Sequence, residues 1–267
     1  MKMKYALGNT NREVERLDIQ ASIFEKETTR TLRYAGIKFG MQCLDLGCGT
    51  GNTTLLLADL VGKSGKVFGL DINENSINIC KRKAAKKRFK NVKFVTGDVY
   101  NTKFENSMFD CVFSRFLFQH LRDPQRALEE MIRVTRRGGI IAVEELDHGS
   151  WLSYPYDHNL EKLRRSYVKI LKHNGSDPYI ARKLYKFFLE KNLKPKVEAY
   201  SVCVPMSNKA YNMVGVFMAE VLEEKIIQNG IMSKVEFKTM LEGLRQYTRI
   251  PYGMVLYALS FRLWGNK

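Results

Sequence analysis

Three glycines at alternate positions follow a short apolar segment, and this stretch of the chain is the one best suited to bind a ligand. The acid within the segment is Asp45, and the glycines are Gly47, Gly49 and Gly51. Glycine lets backbone amides approach a ligand that a Cβ atom would push away. Helix-forming residues follow from Asn52, and the first turn of a helix offers unpaired N–H groups to a carboxylate or phosphate. A buried strand, a glycine turn and a helix start therefore predict a small-molecule site.

Acids also stand at the ends of the next two predicted strands. Asp71 follows an apolar run that begins at Val67 and lies twenty positions after Gly51. An acid at the tip of the second strand can accept hydrogen bonds from ribose hydroxyls. The alternative interpretation is a cap for the helix that starts at Asn73 or Asn75.

With these residues the chain resembles the class I S-adenosylmethionine-dependent methyltransferases. The first motif of that family is similar to the residues from Leu44 to Gly51. The dinucleotide fingerprint differs, because it requires glycine at a sixth position where this chain has Asn52. The resemblance covers about residues 40–147, and it implies S-adenosyl-L-methionine as cofactor and methyl transfer as activity.

The resemblance also implies which residues hold the cofactor. Asp71 would bind the ribose, Asp98 the adenine amino group, and the backbone amide of Val99 a ring nitrogen. The predicted cofactor-binding residues are Asp45, Gly47, Gly49, Gly51, Asp71, Ile72, Asp98, Val99, Ser114 and Phe116.

His120 is the candidate catalytic residue, since it is similar to a Leu/Phe-x-His position in small-molecule members of the family. A neutral imidazole can accept a proton from the substrate near neutral pH, or it can hold its loop by hydrogen bonding. The sequence leaves both roles open. The residues predicted to face the acceptor are Arg115, Glu145, Trp151 and Tyr154, and no metal site is predicted.

The order of apolar runs and helix patterns predicts an α/β fold. The resemblance implies the Rossmann-like methyltransferase architecture, a doubly wound, mostly parallel sheet of seven strands with helical lid insertions. We expect an N-terminal helical cap over residues 1–40, an S-adenosylmethionine-binding core over 41–150, and the remaining strands with a helical substrate lid over 151–267. The residues from Arg136 to Gly139 are predicted to end a helix before the fifth strand. In the cap, Tyr5, Gln20 and Phe24 are candidates for ligand contact or for packing.

Composition narrows the class of protein. The 267 residues carry a formal net charge of +16, and the densest basic run, from Lys81 to Lys90, is interpreted as the solvated face of a helix. No run of about eighteen apolar residues is present, so we expect no membrane span. The five cysteines have no paired spacing, which favours reduced thiols, and a cytoplasmic location is expected.

The favoured hypothesis is methyl transfer to an O, N or C atom of a small-molecule acceptor. The alternatives are an RNA or protein methyltransferase and a nonenzymatic S-adenosylmethionine-binding partner protein. Nucleic acid is disfavoured as a partner, because the chain lacks the Asn/Asp-Pro-Pro-Tyr/Phe motif and the Pro-Cys pair of nucleic-acid methyltransferases. The loop from Phe118 to Asp123 only partly resembles that of quinone-biosynthesis C-methyltransferases. A lid of this size is also compatible with exchange between the subunits of a homodimer.

Overall fold

The computed structural model describes residues 10–267. Within them, seven strands form the main sheet: β1 (Gln42–Leu46), β2 (Lys66–Asp71), β3 (Val92–Thr96), β4 (Phe109–Arg115), β5 (Thr135–Asp147), β7 (Lys196–Tyr200) and β10 (Leu259–Asn266). Their order is β3-β2-β1-β4-β5-β10-β7. Strand β10 is antiparallel to both of its neighbours, and the other strand pairs are parallel. The predicted mostly parallel, seven-stranded sheet is therefore confirmed.

Helices cover both faces of this sheet, as the doubly wound prediction requires. One face packs against α1 (Asn11–Ala35) and α2 (Asn52–Val61), and α3 (Glu74–Lys86) covers the sheet edge beside α2. The opposite face packs against α4 (Pro124–Val134) and α6 (Ala181–Glu190). Both layers bury apolar side chains that alternate along the central strands, since successive strand residues point to opposite faces.

Three further helices and a small antiparallel sheet lie above the carboxyl ends of the central strands. The helices are α5 (His158–His173), α7 (Val214–Gln228) and α8 (Lys234–Tyr247), which share one apolar cluster. The small sheet has the order β6 (Leu152–Tyr154), β9 (Met254–Leu256) and β8 (Cys203–Pro205). We call these six elements the lid. Because α1 also contacts α7 through the ion pair of Arg12 with Glu220, the N-terminal helix joins the lid to the sheet.

One predicted boundary is wrong. The residues from Arg136 to Gly139 do not end a helix but belong to β5, which begins at Thr135. The end of the chain pairs with them: the Gly138 N–H donates to the Lys267 carbonyl at 2.8 Å, and the Lys267 N–H donates to Gly139. A distant segment therefore supplies the hydrogen bonds that make this glycine-containing stretch a strand.

Two predicted strands are each divided between the two sheets. The sequence pattern over residues 196–204 predicts one strand, but β7 ends at Tyr200 and β8 begins at Cys203. The pattern over residues 252–263 also predicts one strand, and the structure divides it into β9 and β10. The aromatic residues from Trp151 to Tyr156 predict a loop, and the structure has β6 there. The small sheet was missed because its strands have three residues each, too few for a period of two to be visible.

Candidate active site

A cavity of about 220 Å³ opens at the carboxyl ends of β1 and β4, beneath the lid. These two strands are adjacent, and the chain crosses from β1 to β2 on one side and from β4 to β5 on the other. Such a switch in strand order leaves a crevice where open α/β sheets bind ligands. Residues from the glycine turn, from α1 and from the lid line the same cavity.

The glycine turn forms the floor of this cavity, and two of its glycines are required for different reasons. Gly49 has a φ of +52°, and a Cβ atom there would meet nothing within 4 Å, because the position faces the open cavity. Gly51 has a φ of +81°, and a Cβ atom there would lie 2.9 Å from the Cys80 sulfur. The first glycine therefore leaves space for a ligand, whereas the second lets α2 and α3 pack closely.

Helix α2 begins at this turn without a side-chain cap, since its N-cap residue is Gly51. The first-turn residues Asn52 and Thr53 line the cavity. Uncapped N–H groups and the positive end of the helix dipole favour an anionic group at this point.

Beneath the turn, Asp45 is buried and accepts a hydrogen bond from the Thr54 hydroxyl at 2.6 Å. Burial raises the pKa of Asp45 to about 6.

Asp71 lies at the tip of β2, beside the turn. Its Oδ2 accepts from the Gly49 N–H at 2.9 Å, and its Oδ1 accepts from the Asn73 N–H at 2.9 Å. Burial raises the pKa of this carboxyl, and the backbone hydrogen bonds oppose that rise. The cap of α3 is Asn73, which accepts from Asn75 and Ser76. The alternative interpretation of Asp71 as the helix cap is therefore wrong, and its carboxylate faces the cavity.

The predicted adenine end lies at the rim of the cavity. Ile72 and the buried Val99 line it, whereas Asp98 is exposed and does not line it among the described residues. The Asp98 carboxylate accepts from the Tyr100 N–H at 2.9 Å, which holds the backbone on either side of Val99. The cofactor role of Asp98 stays a prediction, and the side chain would have to contact the adenine from the rim of the cavity.

After β4 the chain turns sharply, and neighbouring residues point in different directions. Arg115 lines the cavity, donates to the Thr28 hydroxyl at 3.2 Å, and lowers the pKa of Asp45 by its charge. Phe116 also lines the cavity and has a φ of +54°. Ser114 is fully buried, does not line the cavity, and its hydroxyl has no hydrogen-bond partner among the described residues. Its predicted contact with the cofactor does not follow from this position.

His120 ends a short 3₁₀ helix (Phe118–His120) and lines the cavity. Burial lowers its pKa to about 3, and the charge of nearby His148 adds to that effect. The imidazole is therefore neutral at physiological pH. A group with so low a pKa is a weak base, so hydrogen bonding is expected of His120 rather than proton removal.

The structure separates the three other residues predicted to face the acceptor. Trp151 lines the cavity. Glu145 is fully buried behind it and accepts hydrogen bonds from Gln119. Tyr154 is 63% exposed on β6, away from the described lining. Neither Glu145 nor Tyr154 lines the cavity among the described residues, because Glu145 lies beneath the 3₁₀ helix and Tyr154 faces solvent; their contact with an acceptor stays a prediction.

Helix α1 forms part of the cavity wall, and two of its lining residues, Glu13 and Arg16, were not predicted. Arg16 donates to both carboxylate oxygens of Glu13, at 2.7 and 2.8 Å, and this buried pair lies in the cavity wall. The sequence signal for this pair was an acid and a base three residues apart on a predicted helix, where their side chains are neighbours. Gln20 also lines the cavity, whereas Phe24 packs edge-on against Phe116. The remaining candidate of the predicted cap, Tyr5, lies outside the described residues.

The lid side of the cavity is apolar. Two polar side chains there direct their donors to backbone carbonyls: Asn212 donates to Met206 and Thr248, and the Tyr247 hydroxyl donates to Tyr154. Because these donors are already bonded, the surface offered to a ligand is mainly hydrocarbon. Its apolar lining residues are Leu160, Val204, Met206, Val214, Val216, Met218, Leu244, Val255 and Ala258.

Comparison with known proteins gives the class to which this fold and site belong. A family model described as a methyltransferase domain matches residues 37–214. The chain therefore belongs to the methyltransferase domain family, as a class I S-adenosylmethionine-dependent methyltransferase. S-adenosylmethionine is the cofactor of that family.

Particular relatives resemble parts of the chain. A demethylmenaquinone methyltransferase of Staphylococcus aureus is 39% identical over 116 residues, which cover 43% of this chain and 47% of the relative. The matched stretch thus spans about half the length of the curated relatives.

Solved structures share the fold at lower identity. An S-adenosylmethionine-dependent methyltransferase from Aquifex aeolicus is 22% identical, with a TM-score of 0.56 over 73% of this chain and 94% of that one. A phosphoethanolamine N-methyltransferase from Haemonchus contortus, in complex with S-adenosyl-L-methionine, is 17% identical with a TM-score of 0.59, covering 93% and 56%. At these identities the likeness shows the fold.

The described part of the chain also bears on membrane insertion and metal binding. In residues 10–267 no helix is both long and apolar enough to cross a bilayer. Nor do three metal-ligating side chains in that range lie close enough together to hold a metal ion.

Proposed function

We propose that this protein transfers a methyl group from S-adenosylmethionine to an O, N or C atom of a small, largely apolar acceptor. The observation that carries the proposal is one cavity with two unlike halves. The half beside the glycine turn has an uncapped helix start and carboxylates, and the half beneath the lid is hydrocarbon. A charged cofactor and an apolar acceptor would meet where the halves join.

The residues of the turn fit the cofactor. Gly49 leaves space where a Cβ atom would intrude, and the start of α2 suits the carboxylate of the methionine part. Asp71 presents a carboxylate for the ribose hydroxyls, and Val99 borders the place proposed for adenine. When bound, S-adenosylmethionine supplies a methyl group already activated by its sulfonium charge.

The chain's own residues then align the reactants and exclude water. Methyl transfer is an in-line displacement, and correct orientation can supply a large part of the rate enhancement. Trp151 and the lid residues would hold the acceptor, with Met206 and Met218 giving an adaptable apolar wall. His120, which stays neutral, would accept or donate one hydrogen bond at the polar atom of the acceptor.

The relatives suggest the first acceptor to test. Those matched over part of their length are named for demethylmenaquinone, a quinone with an apolar side chain. An apolar lid over a polar floor suits a molecule of this kind. We therefore propose a reduced, demethylated naphthoquinone as the first probe.

The test is incubation of the purified protein with methyl-labelled S-adenosylmethionine and either this quinol or fractionated cell extract, followed by mass analysis. We expect label in a small organic-soluble product. His120→Ala should lower kcat by about 10²-fold, the loss expected when one preorganised hydrogen bond at a reacting centre is removed, with S-adenosylhomocysteine affinity unchanged within about twofold. Equal losses of both quantities would remove His120 from the acceptor site.

The same experiment distinguishes the alternative functions. Label in ribonuclease-sensitive or protease-sensitive material would overturn the small-molecule proposal. Cofactor binding without transfer to any fraction would favour a nonenzymatic binding protein. The exposed basic residues of α3, such as Lys81 and Lys86, lie on the solvated face of that helix, and the ribonuclease control decides whether RNA is an acceptor.

A further inference from the structure

A chain of hydrogen bonds runs from the cavity wall into the protein behind His120. The Trp151 indole N–H donates to His148 Nδ1 at 3.2 Å. His148 Nε2 is hydrogen-bonded to Gln119 Oε1. The Gln119 amide nitrogen donates to Glu145 Oε1 at 2.8 Å, and the Gln119 backbone N–H donates to Glu145 Oε2 at 3.2 Å. Gln119, His148 and Glu145 are all buried.

The chemistry of the first member fixes the direction of every bond in this chain. An indole N–H is only a donor, so His148 Nδ1 must accept and the proton of the neutral ring must be on Nε2. That nitrogen then donates to Gln119, so the amide must present its oxygen to His148 and its NH₂ group to Glu145. Burial lowers the pKa of His148 to about 3, which keeps the ring neutral as this arrangement requires.

Two members of the hydrogen-bond chain are linked to residues of the acceptor half of the cavity. Trp151 lines the wall, and Gln119 immediately precedes His120 in the 3₁₀ helix. Helix α5 fixes the middle: the Tyr167 hydroxyl donates to Gln119 Oε1 at 3.4 Å, and Arg164 donates to the His148 carbonyl at 2.8 Å. Gln119 and His148 also reach the cavity lining, and their hydrogen bonds set the separation between the Trp151 ring and the His120 ring.

We propose that Gln119 and His148 are positioning residues, which hold His120 and Trp151 on two sides of the acceptor in the geometry that methyl transfer needs. This proposal rests on the proposed function. Misplacing a reacting or binding group by about 1 Å can cost about 10²-fold in rate. Breaking the chain should therefore affect turnover, while the cofactor half of the cavity stays as it is.

The first test needs no acceptor. The chain has two tryptophans, Trp151 and Trp264, so ¹⁵N spectra contain two indole N–H signals, and Trp264→Phe assigns them. His148→Phe keeps a ring but removes the bond, so the Trp151 signal should shift upfield and exchange faster with water. Gln119→Met should shift the same signal, although in the structure Gln119 bonds His148 rather than Trp151. His173→Phe, on the exposed end of α5, is the matched control and should leave it in place.

The second test is kinetic, with the quinol probe or the acceptor identified from extract. His148→Phe and Gln119→Met should each lower kcat by about 10- to 100-fold, with S-adenosylhomocysteine affinity by calorimetry unchanged within about twofold. Should either variant fail to fold, Trp151→Phe keeps the wall apolar and removes only the terminal donor, and it should lower kcat several-fold.

The outcomes separate this proposal from the proposed function. An unmoved Trp151 signal in Gln119→Met would overturn the positioning chain, and so would a loss of cofactor affinity as large as the loss of kcat. Wild-type kinetics in Trp151→Phe would overturn it too. Absence of turnover in the wild-type protein with every acceptor would instead count against the proposed function, and the spectroscopic result would still stand.

Discussion

Buried ionisable side chains surround the cavity, and burial shifts the pKa of several of them. Glu145 accepts hydrogen bonds from Gln119 and from the Leu146 N–H, which are uncharged, and burial raises its pKa to about 8. Burial lowers the pKa of His120 and that of His148 to about 3. At neutral pH these imidazoles carry no charge, so the acceptor half of the cavity is less polar than its residue types suggest.

The raised pKa of the Glu145 carboxyl predicts the direction in which stability changes with pH. Its pKa is higher in the folded state than the ordinary 4.5, so the folded state binds more protons between pH 4.5 and about 8. The contribution of this group is fully present below pH 4.5 and is lost as the pH rises through about 8. Relative to Glu145→Gln, the wild type should lose about 1.4 kcal/mol of unfolding free energy per pH unit across that window. Urea denaturation at several pH values measures this difference, and a constant difference would contradict the prediction.

Asp71 both supports the glycine turn and faces the cavity. Asp71→Ala removes the acceptor for the Gly49 N–H as well as the group proposed for ribose. We expect S-adenosylhomocysteine binding to weaken by about 1.5–3 kcal/mol, roughly 10- to 150-fold in Kd, as measured by calorimetry. Asp59→Ala, on the exposed side of α2, is the control and should bind normally. Unchanged affinity in Asp71→Ala would exclude this residue from the cofactor site.

At the scale of elements, α1 closes the cofactor half of the cavity and is tied down by a polar cluster. Asp18 of α1 is paired with Lys83 of α3 and accepts from the Asn52 amide at 2.8 Å. Lys83 also donates to the side-chain oxygen of Asn52, Oδ1, at 3.2 Å. Three helices thus meet at the entrance to the glycine turn, and the cluster links the position of α1 to that turn.

Removing the cation of this cluster should loosen the cover over the cofactor. Lys83→Ala is expected to weaken S-adenosylhomocysteine binding by about two- to fivefold at low salt, because a partly exposed ion pair contributes about 0.2–1 kcal/mol. The effect should shrink at high salt as the pair is screened. Lys81→Ala, an exposed position on the same helix, is the matched control. Stopped-flow measurement of S-adenosylhomocysteine binding at two salt concentrations compares the two variants. Equal affinities of Lys83→Ala and Lys81→Ala would exclude a role for the cluster.

At the scale of the molecule, the lid has its own apolar core, distinct from the two layers on the sheet. Phe237 of α8 is fully buried in that core and is not among the cavity-lining residues. Because α5, α7 and α8 pack on one another there, the shape of the acceptor half depends on interactions remote from any ligand.

Truncation of that core should therefore destabilise the protein. Phe237→Ala is expected to lower the free energy of unfolding by about 3–5 kcal/mol, since it leaves a cavity in a close-packed cluster. Val235→Ala, exposed on the same helix, should change it by less than about 0.5 kcal/mol. Urea denaturation compares them, and similar midpoints would mean that the lid core contributes little to global stability.

The sequence by itself determined the sheet and the floor of the site. The strand at Gln42–Leu46, the turn through Gly51 and the helix at Asn52–Val61 lie where they were predicted. Local sequence signals suffice to predict these elements, because a glycine turn, an apolar strand and a helix start each depend on residues that are neighbours in the sequence. The family could also be predicted from the sequence, because its first motif occupies one continuous stretch.

Only the tertiary structure decided what stands opposite that floor. Glu13 and Arg16 enter the wall from a helix at the start of the chain, and Glu145 lies behind the wall although its sequence position suggested the front. The residues from Arg136 to Gly139 became a strand because the last residue of the chain pairs with them. The physical reason is common to these cases: burial and hydrogen-bond partners are set by segments distant in sequence, and no local pattern specifies which segments will meet.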